Sequence, residues 1–179
     1  MLASLWLPIV LAAVALFFAS FLSWMVLQLH KTDWVKLERE EEFLQAGRNM
    51  GLKPGNYMFP GCQSQAEMGT PEFKAKMEAG PRGVLTVFGN VSMGQNLGLT
   101  FVYFLVISLC VAYLATLGLP RGAEFRPVFR FVSTAGLLAF LPAIVQHSIW
   151  FKCRITGHII ESIAYAAILG AIFGGLWPR

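Results

Sequence analysis

Charge is scarce in this sequence. Asp, Glu, Lys and Arg make up 13% of its 179 residues, against about 25% in an ordinary soluble domain. Of the ten acids only Glu124 and Glu161 lie outside residues 31–96, and residues 2–29 carry no charged side chain at all. So little water-facing material excludes a large soluble core and points to membrane spans around one polar insert. The three cysteines form no CxxC pair and no disulfide framework. Cys110, in an apolar run, reads as a small core residue, and Cys62 and Cys153 read as free thiols in a reducing, cytoplasmic setting.

Catalytic signatures are missing as well. There is no GxSxG and no Ser/His/Asp order. Gly89, Gly94 and Gly98 are not followed by the Lys-Ser/Thr of a phosphate loop. The formal net charge is +4, without a clustered basic patch, which argues against nucleic acid as a partner. No enzyme activity, metal or other cofactor is expected from these patterns.

What the sequence does have is apolar length. Residues 2–29, 97–119, 131–150 and 157–177 each reach the roughly 20 residues needed to cross hydrocarbon. Trp6, Trp24, Trp150 and Trp177 fall near the ends of these runs, where amphipathic rings prefer the interface. The first run lacks the basic start and small-residue cleavage site of a secretory signal, so it reads as a retained anchor. The expected fold class is an all-α integral membrane protein: four transmembrane helices with a small α+β insert between the first and second. Residues 1–30 form the first helix, 31–96 the membrane-apposed insert, and 97–179 a three-helix transmembrane bundle.

Four crossings put Lys31, Lys36, Arg39, Arg82, Lys152 and Arg154 on the insert side, and Arg121, Arg126, Arg130 and Arg179 on the other. The positive-inside bias then favours a cytoplasmic insert and periplasmic termini. Within the insert, Asp33 is the expected N-cap of a helix running to Met50 and stopped by Gly51. The acids Glu38 to Glu42 fall in its early turns and read as a solvated face. GLKPGNYMFPGC reads as turns around a short extended piece, and TPEFKAKMEAG as a helix capped by Thr70 and ended by Gly80. GVLTVFGN reads as a strand.

The stretch HSIWFKCRITGHIIESIAY, from His147 to Tyr165, concentrates the polar chemistry. A short hairpin there would bring Glu161 to the depth of His147, making them the candidate intramembrane polar pair. The plainer reading is that Glu161 pins the hairpin near headgroup level. Trp150, Lys152 and Arg154, with Phe151, are candidates for contact with a headgroup or ligand. A zinc set of His147, Cys153 and His158, with Cys62, has no compact ligand spacing. His30 reads as an interfacial histidine. In the last run Ala166, Gly170 and Gly174 form one small-residue stripe, with Ala167, Ala171 and Gly175 beside it. Ala135, Ala139 and Ala143 do the same in the third run, where Pro142 should kink the helix. Such stripes allow close helix approach, within this bundle or with another subunit.

NYMFP in the insert, SIWF at the end of the third run and GAIFGGLWP near the C-terminus are similar to motifs of a family of small bacterial inner-membrane proteins. The resemblance extends over nearly the whole chain. It implies the span–insert–three-span order and a bacterial cytoplasmic membrane, and it carries no catalytic residue. Together these features lead us to expect a non-enzymatic scaffold or accessory subunit of a larger membrane complex, in contact with lipid and other membrane subunits. Two alternatives stay open: a small proton-linked transporter using Glu161 and His147, and a lipid- or quinone-binding protein.

Overall fold

The structure is a computed structural model that describes residues 1–179. In chain order its elements are helix α1 (Trp6–Phe21), helix α2 (Glu40–Asn49), strand β1 (Gly55–Phe59), helix α3 (Gln65–Met68), helix α4 (Pro71–Ala79), strand β2 (Gly83–Val87), helix α5 (Met93–Gly118), helix α6 (Phe125–Phe140), helix α7 (Pro142–Phe151) and helix α8 (Thr156–Gly175). They form two compact units, one of residues 1–35 with 93–179 and one of residues 36–92.

The first unit is a helical bundle. Four stretches are long and apolar enough to cross a membrane: Leu2–Val26, Met93–Gly118, Phe125–Phe151 and Thr156–Gly175. Helix α1 packs on α5 and α8, and α6 packs on α8 and α5, so the four surround a common core. Leu16, Val111, Val128, Leu169 and Phe173 are fully buried in it. Phe18, Phe21, Leu138 and Ile163 instead point outward and are more than half exposed, which gives the bundle an apolar outer surface suited to acyl chains. Among acyl chains it is close packing rather than the hydrophobic effect that would hold such helices together.

That packing uses one of the two expected stripes. A Cβ on Gly170 would lie 2.9 Å from the ring of Phe129, and one on Gly174 2.7 Å from the ring of Phe125. Ala166 meets α6 at Gly136, where a Cβ would come within 3.3 Å of the Ala166 Cα. Ala167, Ala171 and Gly175 are exposed on the outside of α8. Cys110, expected in the core, is exposed on the outer face of α5.

Pro142 does more than bend the third span. It has no N–H for the Leu138 carbonyl, and the helix breaks into α6 and α7. Helix α7 has no buried residue of its own. At the other end of the bundle, the Trp177 indole N–H donates to the Pro120 carbonyl at 2.9 Å, and the Gly122 N–H donates to that of Pro178, also at 2.9 Å. Trp177 is therefore buried, unlike Trp6, Trp24 and Trp150.

In the second unit β1 and β2 pair antiparallel, from Gly55 opposite Val87 to Phe59 opposite Gly83. Helix α4 is capped as its sequence requires: the Phe73 N–H donates to Thr70 Oγ1 at 3.2 Å, Pro71 takes the first turn, and Gly80 ends it at φ +61°. Gly51 closes α2 at φ +64°. No residue of 36–92 is buried. One expectation fails here. Asp33 does not cap α2, which starts at Glu40 after an uncapped Arg39. Its carboxylate is engaged elsewhere.

Candidate functional site

The first long helix ends in a π-type turn, Leu22–Val26, and the chain then folds back through Gln28 at φ +50°. The Leu29 N–H donates to the Ser23 carbonyl at 3.1 Å, which fixes the return. This turn carries His30 inward, to 4% exposure, with its ring stacked on Trp24 at 4.0 Å. It lands on the start of α8, where Gly157 leaves room for it. Arg154 secures the junction by donating to the Thr32 carbonyl at 3.1 Å.

Four ionisable side chains meet there. His30 Nδ1 lies 2.7 Å from Asp33 Oδ2, a charge-assisted hydrogen-bond distance. Its other nitrogen, Nε2, lies 3.2 Å from Glu161 Oε2, without the alignment of a hydrogen bond. His158, one turn before Glu161 on α8, brings Nδ1 to 3.7 Å from the same oxygen. The two imidazole rings are 4.5 Å apart. Glu161 is 7% exposed, and its Oε1 has no hydrogen-bond partner. Buried carboxylates are expensive unless paired, so this arrangement is the strongest chemical feature of the chain.

Glu161 also forms the polar end of a cavity of about 220 Å³. Tyr103, Phe104, Phe140 and Ile144 make its apolar walls, and Ser20, Ser162 and Tyr165 join Glu161 and His158 at the polar end. The Ser162 hydroxyl is committed to the His158 carbonyl at 2.7 Å. A larger open groove of about 920 Å³ lies at the opposite end, along Leu114, Leu119 and the first turns of α6. Its charged residues, Glu124, Arg126 and Arg130, are exposed.

The expected partner of Glu161 is thus replaced. His147 is exposed on α7 and stacks on Phe151 at 4.4 Å, while His30 and His158 take the place beside Glu161. The reason is that α7, beyond Pro142, buries none of its residues, His147 included. Of the residues weighed and set aside as a zinc set, His158 alone belongs to the cluster, and the exposed Cys62 and Cys153 are free thiols. Trp150 is 77% exposed and Lys152 ends α7 in the left-handed conformation at φ +53°. Arg154 serves the Thr32 contact. Sequence reasoning missed His30 and Asp33 as site residues. The HxxE spacing of His158 and Glu161 on one helix face was the available signal.

Comparison with protein-family models, with curated proteins and with solved structures yields no match.

Proposed function

We propose that this is a multi-pass membrane protein that binds the polar head of a bilayer-soluble amphiphile, of the lipid or quinone class, in the cavity ending on Glu161. The observation that carries the reading is that cavity: aromatic and aliphatic walls together with a buried carboxylate, Glu161, and one imidazole, His158. Such a shape, apolar with a few convergent polar groups, is what ligand sites generally have. At about 220 Å³ it suits a headgroup or single ring, with the tail left among acyl chains. The role is binding without turnover. The bacterial cytoplasmic membrane is supported by the resemblance of NYMFP and GAIFGGLWP, and a cytoplasmic insert by the lysines and arginines at that end. The test is extraction of gently purified protein followed by mass spectrometry. Wild type retains an amphiphile in near-stoichiometric amount, and Ile144→Trp, which fills the cavity, loses it. Equal retention in both proteins would refute the site.

A second reading, a subunit of a larger assembly, is favoured by the outward stripe of Ala167, Ala171 and Gly175. Native mass measurement in mild detergent tests it: Ala171→Leu should reduce the particle to a single chain. A single-chain wild type under the same conditions removes this reading.

A further inference from the structure

We infer that His30, His158 and Glu161 are the three protein ligands of a divalent transition-metal ion of the Zn²⁺ class, whose remaining coordination position faces the cavity. The spacing supports this first. One ligand atom from each residue lies within 4.8 Å of the others. The two edges to Glu161 Oε2 are 3.2 and 3.7 Å. Metal–ligand bonds of 2.0–2.1 Å at tetrahedral angles require edges of about 3.4 Å. The third edge, between the two imidazole nitrogens, lies within 4.8 Å.

The hydrogen bonding of His30 gives the second, independent reason. Asp33, at 2.7 Å from Nδ1, accepts the proton there. A neutral His30 then presents the lone pair of Nε2 to the Glu161 carboxylate at 3.2 Å, acceptor against acceptor. Neither Nε2 nor Glu161 Oε1 has a hydrogen-bond partner, although both are buried. A cation between Nε2 and the carboxylate oxygen Oε2 turns this repulsion into coordination. The Asp33–His30 pair is also the carboxylate–histidine arrangement that orients metal-bound imidazoles, and the stacked Trp24 holds the ring plane.

The donor set narrows the ion. Two imidazoles and one carboxylate suit Zn²⁺ or Fe²⁺, whereas Ca²⁺ and Mg²⁺ prefer all-oxygen surroundings. Three protein ligands leave a position open, and the cavity at Glu161 is what that position meets. The inference rests on the amphiphile reading only for the group that fills this position. The ion itself would clamp the turn at His30 onto α8.

The full chain, purified in mild detergent and stripped with a chelator, is titrated with Zn²⁺ and, separately, with Fe²⁺ under anaerobic conditions. One equivalent should bind per chain. His158→Ala and Glu161→Gln should weaken binding by more than about 100-fold, and Asp33→Asn by roughly 10- to 100-fold. His147→Ala, outside the cluster, should leave it unchanged. X-ray absorption on the Zn²⁺-loaded wild type gives an answer that needs no variant: two imidazoles and an oxygen at about 2.0–2.1 Å. Absence of a stoichiometric ion, or undiminished binding by folded His158→Ala and Glu161→Gln, overturns the inference. Amphiphile retention is measured on the chelator-treated protein as well, so that loss of one conclusion is seen separately from loss of the other.

Discussion

Gly157 and His30 occupy one space between them. A Cβ on Gly157 would lie 2.8 Å from the His30 ring and 3.0 Å from the Leu29 carbonyl oxygen. The carbonyl belongs to the backbone of a tight turn, so the turn itself must move. Gly157→Ala should destabilise the bundle by about 1–3 kcal/mol, the usual range for overpacking. Thermal unfolding in detergent checks this. Gly98→Ala, where an added Cβ meets no atom within 4 Å, is the matched control and should show no loss.

Gly136 tests the packing of α6 on α8. Its added Cβ would come within 2.9 Å of Leu169 Cδ1 and 3.3 Å of the Ala166 backbone. Gly136→Leu should therefore lower thermal stability by about 3 kcal/mol or more. The same residue placed outward, in Ala171→Leu, should change the stability of the single chain by no more than about 0.5 kcal/mol. Similar losses at both positions would mean that the two stripes have been assigned to the wrong faces.

Trp177 offers a smaller and cleaner change. Trp177→Phe keeps most of the buried ring and removes the donor to the Pro120 carbonyl. A loss of about 1–2 kcal/mol is expected, the effect of one missing hydrogen bond together with an unsatisfied carbonyl. No change in unfolding temperature would show that this contact does not hold the end of the chain.

Residues 36–92 have hydrogen-bonded elements but no buried side chain. Without apolar burial, the entropy of ordering so short a chain is not offset. Expressed alone, this unit should show no cooperative thermal transition by circular dichroism. A sharp transition would reveal a core that the burial pattern does not contain.

Much of the architecture is legible in the sequence, and the reasons are local. Four apolar runs need only length to declare themselves. Thr70, Pro71 and Gly80 bound α4 through capping rules that act within a turn, and Pro142 breaks the third span by its own covalent geometry. The site is less legible because it is assembled from distant parts. His158 and Glu161 share a helix face, which spacing reveals, but His30 reaches them across the insert and three helices. Its arrival depends on a left-handed Gln28 and on the missing side chain of Gly157, neither of which signals a partner in advance. Asp33 illustrates the same limit. Next to a helix it has the composition of a cap, yet the histidine three residues before it competes for the carboxylate and wins. The stripe Ala166, Gly170 and Gly174 is visible as a pattern, but only tertiary structure assigns Phe125 and Phe129 as the rings it receives.

The juxtaposition of His30 and His158 beside Glu161 underlies both the cavity reading and the metal inference, and cross-linking in native membranes tests it most directly. Cys62, Cys110 and Cys153 are replaced by serine or alanine, His30→Cys and His158→Cys are introduced, and a protease site is placed in the exposed loop after Phe59. Treatment with a short bis-maleimide followed by cleavage should leave the two fragments joined, since the native rings are 4.5 Å apart. Either cysteine alone should give separate fragments. Fragments that separate in the double variant, with both thiols shown to be reactive, would contradict the site.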